Sequence, residues 1–223
     1  MAAAREGWMR RFLVALALVG VAVVAGATVF LLWDLDWRWR PHTITRHEDE
    51  IAQALAQSGW VSPHLTGPAL YMISFRACPA CIAFEASEFP KLQKADVDTR
   101  VIMIALPDSG GAPQSTPAER ATVAELWTNR SWRLFQQWSA ATPSSWTAPG
   151  VPPADGDAAR TAVVEVGRKL VSDIQPQLAA NGVTFAYPLL AWRAKDGRLR
   201  AVAGAPRSWR FVEHELAADR AAP

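Results

Sequence analysis

The sequence predicts an α/β domain behind a single membrane-spanning helix. Three observations carry that expectation. Phe12 to Trp33 is an uncharged apolar run, "FLVALALVGVAVVAGATVFLLW". A strand, a helix and a second strand follow one another between Ala69 and Leu106. Both cysteines of the chain, Cys78 and Cys81, stand two residues apart where the first of those strands meets the helix. The length, 223 residues, suits one domain plus extras. A formal net charge of +2 with no basic run speaks against nucleic acid as the partner.

About 20 apolar residues cross a bilayer as a helix, so the first run is long enough to span. Arg5, Arg10 and Arg11 precede it, which by the positive-inside rule places the N-terminus in the cytoplasm. Trp33, Trp37 and Trp39 follow, as an aromatic belt at the far interface would. The alternative is a cleaved signal peptide with Ala25–Ala27 as its small-residue site. "TVFLLW" carries the apolar run past that point, so an uncleaved, single-pass anchor is the expectation. Either way the rest of the chain is exported, where disulfides persist. The expected division is 1–11 cytoplasmic, 12–33 anchor, 34–65 a juxtamembrane linker with a short helix, and 66–223 the α/β domain with a helical insertion at about 116–140.

In the linker, Thr45 and Glu48 have capping-box spacing, with Ile51, Ala52 and Leu55 on one face of a helix ending near Gly59. "ALYMISF", Ala69 to Phe75, is a short apolar run and reads as a buried strand. A helix starts near Pro79, with Ile82, Phe84 and Phe89 as contacts and Pro90 ending or kinking it. "TRVIMIAL", Thr99 to Leu106, is the second strand, parallel to the first through a right-handed crossover. Thr116, Pro117 and Glu119 open the inserted helices, which carry Val123, Leu126, Trp127, Leu134 and Trp138 and break near Asn129. A longer helix from Ala158 places Val163, Val166, Leu170, Val171, Ile174 and Leu178 on one face and stops at Asn181-Gly182. Asp196-Gly197 marks a hairpin between "TFAYPLLAWR" and "RLRAVAGA". Trp209, Val212 and Leu216 have the spacing of a closing helix.

The cysteine pair has four readings. Haem attachment requires His after the second Cys, and position 82 is Ile. Structural zinc requires four ligands; of His42, His47, His64 and His214, only the first two have suitable spacing, and they lie in the linker. A structural disulfide closing so short a loop stabilises little. A redox centre fits the position: a helix N-terminus offers unpaired N–H groups and partial positive charge, which favour the Cys78 thiolate. Cys78 is then the attacking thiol and the deeper, less exposed Cys81 resolves the mixed disulfide. Arg76, Pro79 and Ala80 stand where they would tune that thiolate. Glu85, one turn past Cys81, reads as a solvated helix residue before it reads as a proton relay. Trp127, Trp132 and Trp138 read as core before they read as a partner patch.

Strand, Cys-x-x-Cys at a helix start, strand, inserted helices, long helix, hairpin and closing helix together resemble the thioredoxin fold over roughly Ala69 to Ala218. The insertion is similar to that of the Dsb branch, and "YPLLAWRAKDGRLRAVAGA" resembles the catalytic domain of the DsbC and DsbG disulfide isomerases. The resemblance implies a cis-proline opposite the active site, matched here by Tyr187-Pro188, where a substrate peptide would add as a strand. This chain departs from the pattern in three places. Met72 stands where thioredoxin has a buried Asp, Ala77 where Trp is usual, and Tyr187 where Thr or Val is common. An anchor and a short helix replace the isomerases' dimerisation domain.

The expected function is a bacterial inner-membrane, periplasm-facing thiol–disulfide oxidoreductase acting on protein thiols and disulfides, isomerase or reductase ahead of oxidase. It is expected to use no cofactor beyond the Cys78–Cys81 pair, to hold no metal, and to exchange electrons with a membrane or periplasmic redox partner. Two rivals remain: a client-specific reductant, as in apocytochrome maturation, and a non-catalytic thioredoxin-fold assembly factor of an envelope or secretion system.

Overall fold

The computed structural model describes residues 2–35, 40–204 and 216. The chain divides into two compact units, Met1–Arg40 and Pro41–Pro223. The first unit is one helix, α1 (Ala2–Leu35), longer than the apolar run at its centre. Its segment Leu13–Trp33 is long and apolar enough to cross a membrane.

In the second unit the described elements are β1 (His42–Thr43), α2 (Glu48–Gln57), β2 (Ala69–Ser74), α3 (Pro79–Lys94), β3 (Asp98–Met103), α4 (Pro117–Asn129), α5 (Trp132–Ala140), α6 (Ala158–Ala179), β4 (Leu189–Arg193) and β5 (Leu199–Ala203). They build a five-stranded sheet in the order β1-β5-β4-β2-β3. The β2–β3 pair is parallel, as a strand–helix–strand crossover requires. The β1–β5, β5–β4 and β4–β2 pairs are antiparallel.

Strand side chains alternate between the two faces, so the sheet carries two cores. Tyr71, Ile73, Ile102, Leu189, Ala191 and Ala201 pack with α2 and α6 through Ile51, Leu55, Leu170, Ile174 and Leu178. Leu70, Met72, Val101, Met103, Leu190, Trp192 and Val202 pack with α3, α4 and α5 through Phe84, Phe89, Leu126, Phe135 and Trp138. Leu216, helical and buried, joins this second core. The rest of the predicted closing helix, with Trp209, Val212 and His214, lies outside the described residues.

Several local expectations are corrected. The compact unit begins at Pro41 rather than at residue 66. The supposed linker is part of it: β1 pairs with β5, Val61 bridges to Val101, and the Trp60 ring lies beneath the guanidinium groups of Arg100 and Arg130 at 4.5 and 4.7 Å. Thr45 does not cap α2. The Asn181 side chain accepts the backbone N–H groups of Thr45 and Arg46, and the Glu48 carboxylate accepts the Leu199 N–H at 3.0 Å, so His47 becomes the N-cap. Pro90 does not end α3, which continues to Lys94 because Phe89 and Leu92 anchor its last turns in the core. On α6 the buried face is Val164, Gly167, Leu170, Ile174 and Leu178, while Val166 is exposed. The expected box at Thr116 forms with both of its bonds: Glu119 N–H to Thr116 Oγ1 at 3.1 Å, and Thr116 N–H to Glu119 Oε2 at 2.7 Å. The inserted helices break at Arg130, which takes a left-handed conformation at φ 50°.

Gly59 shows how tightly the N-terminal segment is seated. A Cβ there would stand 2.6 Å from the Trp127 Cα, whose side chain is fixed by an indole N–H to Met103 carbonyl bond of 2.8 Å. Neither group can yield without disturbing the sheet. Gly59→Ala is expected to destabilise the fold by about 2 kcal/mol, read as a fall of roughly 6 °C in Tm by calorimetry.

Candidate active site: a disulfide at a helix start

β2 runs straight into the site. After Ser74 the chain turns through Phe75, Arg76 and Ala77, and the Cys78 N–H closes the turn on the Phe75 carbonyl at 3.2 Å. Cys78 is the N-cap of α3, with extended backbone (φ −75°, ψ 109°) and Pro79 at the first helical position. Proline fits there because the first N–H of a helix has no intrahelical acceptor. The Cys78 sulfur takes the capping role, accepting the Cys81 N–H at 3.1 Å.

Cys78 and Cys81 form a disulfide. Cys78 is 3% exposed and Cys81 fully buried. The expected order of exposure holds, but in the disulfide form the difference is small. Around the pair, Ala77, Pro79, Ile82 and Ala83 are exposed and uncharged, and Ala80 is half-buried. Outside α1, Ile82 and Val166 are the only large apolar side chains among the described residues that stand exposed. A solvent-facing helix turn is normally polar. The turn beside the disulfide is not.

The register brings a second segment to this end of the sheet. Ile73 pairs with Leu189, so Pro188 faces Ser74, four residues before Cys78. The Tyr187–Pro188 peptide is cis, Pro188 is buried, and its carbonyl accepts the Gly204 N–H at 3.0 Å. Tyr187 stands edge-on between Phe75 and Phe185, each centroid 5.0 Å away. Burial pushes its hydroxyl up to about 12. Its ring packs against the core cluster that holds Cys78 and Cys81.

Arg76 has a different place from the one its position suggested. It is 6% exposed, and its Nη2 donates to the Ser139 carbonyl at 3.1 Å and to the Ala141 carbonyl. It is thus bound to the C-terminal end of α5. Its Nε has no hydrogen-bond partner. Desolvation pulls the guanidinium below its usual value, against the pull of Glu85 and Glu119.

Glu85 corrects a second expectation. It is half-buried rather than solvated, and burial pushes its carboxyl up to about 7, opposed by a hydrogen bond with Ser139 and by the Arg76 charge. The sequence signal was its place one turn past Cys81. What the sequence did not signal was α5 closing over it. Trp138 is core at 1% exposed, and Trp132 stacks on Phe135 at 4.9 Å, so these indoles pack the insertion onto α3. Among the described residues no group of three or more His, Cys, Asp and Glu side chains is gathered at one place.

A Cys-x-x-Cys disulfide capping the helix after a buried strand, beside a cis-proline on an antiparallel neighbour, is the architecture of the thioredoxin fold. The comparison with solved structures agrees on the fold. The chain superposes on ScsC of Proteus mirabilis in a compact conformation with a TM-score of 0.52, at 13% identity, covering 97% of this chain and 96% of that one. More distant in shape are a periplasmic thioredoxin-like protein of Salmonella enterica serovar Typhimurium (TM-score 0.46, 15% identity, 80% and 100% covered) and DsbA2 of Pseudomonas aeruginosa (TM-score 0.42, 14% identity, 74% and 95% covered). At these identities the likeness is one of fold. No protein-family description matches the sequence, and no curated protein does.

Proposed function

We propose that the chain is a membrane-anchored thiol–disulfide oxidoreductase whose catalytic unit works outside the cytoplasm and exchanges disulfides with polypeptide substrates. The observation that carries this reading is the Cys78–Cys81 disulfide with Cys78 as helix N-cap. In the reduced form, the helix N-terminus and the Cys81 N–H favour a Cys78 thiolate, the species that attacks. The thiolate attacks a sulfur of the substrate disulfide, a mixed disulfide forms, and Cys81 displaces the substrate. The exchange uses no cofactor other than the pair itself.

The uncharged rim of Ala77, Pro79, Ile82 and Ala83, with the aromatic ring of Tyr187, supports an apolar polypeptide rather than a small charged thiol as the substrate. Tyr187 and Pro188 are the residues along which that segment would lie, with Pro79 and Ala80 setting the surroundings of the thiolate. Orientation rests on Arg5, Arg10 and Arg11 before α1. Isomerase or reductase work is favoured by the resemblance of the β4–β5 hairpin sequence, and either requires a partner in the membrane or beyond it to keep the pair reduced.

The test is the reduction potential of the unit Pro41–Pro223, equilibrated in glutathione buffers and quantified by thiol alkylation. A value near about −180 mV, at the isomerase end of the scale, or near −270 mV, at the reductant end, agrees with the proposal. A value near about −120 mV makes the protein an oxidant instead. Failure of Cys78 and Cys81 to pair at any poise removes the redox reading altogether. Reduction of insulin by the same protein then separates a generalist from an enzyme with one dedicated client.

A further inference from the structure

In the disulfide form the sulfur–sulfur bond itself holds Cys78 against α3. Reduction removes that bond. The Cys78 sulfur must then stay over the first turn of α3 by other means if it is to keep the Cys81 N–H, which it accepts at 3.1 Å. That contact and the helix start are what favour its thiolate.

The turn that carries Cys78 is held from two sides. On one side, the Phe75 carbonyl accepts the Cys78 N–H at 3.2 Å, and the Phe75 ring meets the Tyr187 ring edge-on with centroids 5.0 Å apart. On the other side, Arg76 reaches to α5. Its Nη2 donates to the Ser139 carbonyl at 3.1 Å and to the Ala141 carbonyl. Ser139 lies in the last turn of α5 and Ala141 is its C-cap. Carbonyls at a helix C-terminus lack intrahelical partners and carry partial negative charge, so a guanidinium suits them.

We propose that Arg76 is a positioning residue of the exchange reaction: by tying the turn before Cys78 to the C-terminal end of α5, it keeps the Cys78 sulfur at the N-cap of α3 in the dithiol form. This inference rests on the oxidoreductase reading and adds to it the residue that holds the attacking sulfur in place.

The setting of Arg76 is not that of a packing residue. It is 6% exposed, and its buried Nε has no hydrogen-bond partner. Withdrawing a charged group from water is costly, and an unbranched apolar side chain would fill the same space without that cost. What the guanidinium does that such a side chain could not is bind two backbone carbonyls of another element. The charged groups that act on it come from two further elements, Glu85 of α3 and Glu119 of α4.

The sign of the effect follows from the two redox forms. In the equilibrium with glutathione, two glutathione thiols give two electrons and two protons to the Cys78–Cys81 bond, which becomes the dithiol, and they leave as glutathione disulfide. Whatever stabilises the Cys78 thiolate stabilises the dithiol side. Without Arg76 the disulfide keeps its geometry through its own covalent bond, while the dithiol loses the tether. The equilibrium therefore moves toward the disulfide.

The test uses the full chain in detergent micelles. Wild type and Arg76→Met, which keeps the bulk without the donors, are equilibrated in glutathione buffers at pH 7 and quantified by alkylation. Arg76→Met is expected to shift the equilibrium constant about tenfold toward the disulfide, a potential lower by about 30 mV. The pH at which Cys78 of the reduced protein becomes half-reactive toward iodoacetamide should rise by about one unit, the same tenfold change. The Tm should fall further in the reduced protein than in the oxidised one. Arg76→Lys, which can still reach a carbonyl, is expected to shift the potential less than Arg76→Met; a shift as large or larger overturns the proposal. A purely structural role lowers the Tm of both forms alike and leaves the potential and the alkylation profile unmoved, and that result also overturns it. Should Arg76→Met not fold, Arg76→Gln takes its place: a shift toward the disulfide supports the proposal, and an unchanged potential overturns it. A wild-type protein that forms no Cys78–Cys81 disulfide in any buffer removes the oxidoreductase reading, and this inference with it.

Discussion

Replacing Cys81 by Ala is expected to give a protein that captures its substrates and does not let them go. Cys78 remains at the N-cap of α3, where its sulfur keeps the stabilisation of the helix start. It still attacks a substrate disulfide, but the group that would displace the substrate is gone. Turnover should fall by on the order of a thousandfold or more, the scale on which loss of a catalytic nucleophile acts. Covalent complexes should appear on non-reducing gels and vanish with dithiothreitol. Cys78→Ser should lose turnover to the same extent and form no complexes, since the buried Cys81 is left as the only thiol. Complexes formed equally by both variants would contradict the assignment of attack to Cys78 and resolution to Cys81.

The second large effect is on stability. Trp138→Ala is expected to cost about 3–5 kcal/mol, a fall of roughly 10 °C or more in Tm. Trp138 is 1% exposed in the core shared by α3, α5 and the sheet. Its removal leaves a cavity the size of an indole, which the close-packed core around it cannot fully close. Its Nε1 has no hydrogen-bond partner. Trp138→Phe therefore sacrifices no polar contact and should cost about 1 kcal/mol, mostly through lost volume. The next residue, Ser139, accepts from Arg76 and hydrogen-bonds to Glu85, so loosening α5 also loosens the active-site surroundings. Urea titration of the two variants, followed by Trp fluorescence and circular dichroism, measures the difference.

Features encoded within a few neighbouring residues were legible in the sequence. The apolar runs of β2 and β3, the Pro79 start of α3, the Thr116 box and the Asp196-Gly197 turn each depend on local chemistry, and each could be read with its mechanism. Contacts made across the fold were not legible. Asn181 reaches back 136 residues to the N–H of Thr45 and displaces a cap that looked complete on paper. Pro90 looked like a stop because nothing nearby shows that Phe89 and Leu92 are held by the core. At the site, the cysteines themselves were evident from their spacing. Glu85 was visible as a neighbour of Cys81 and misjudged as solvated, because the helix that covers it begins 47 residues later at Trp132. Arg76 was read by its distance along the chain from Cys78, whereas its guanidinium is bound to the end of α5.

The β4–β5 hairpin also offers a place to alter the molecule without touching its chemistry. Pro188 lies just before β4, and the Asp196-Gly197 turn lies beyond the strand's other end, after Arg193. Gly197 takes a φ of 77° with open space around it. A short epitope or a fluorophore set into that turn would sit a full strand length from the disulfide. The reporter could follow the protein's location and lifetime in the cell while leaving the exchanging sulfurs as they are.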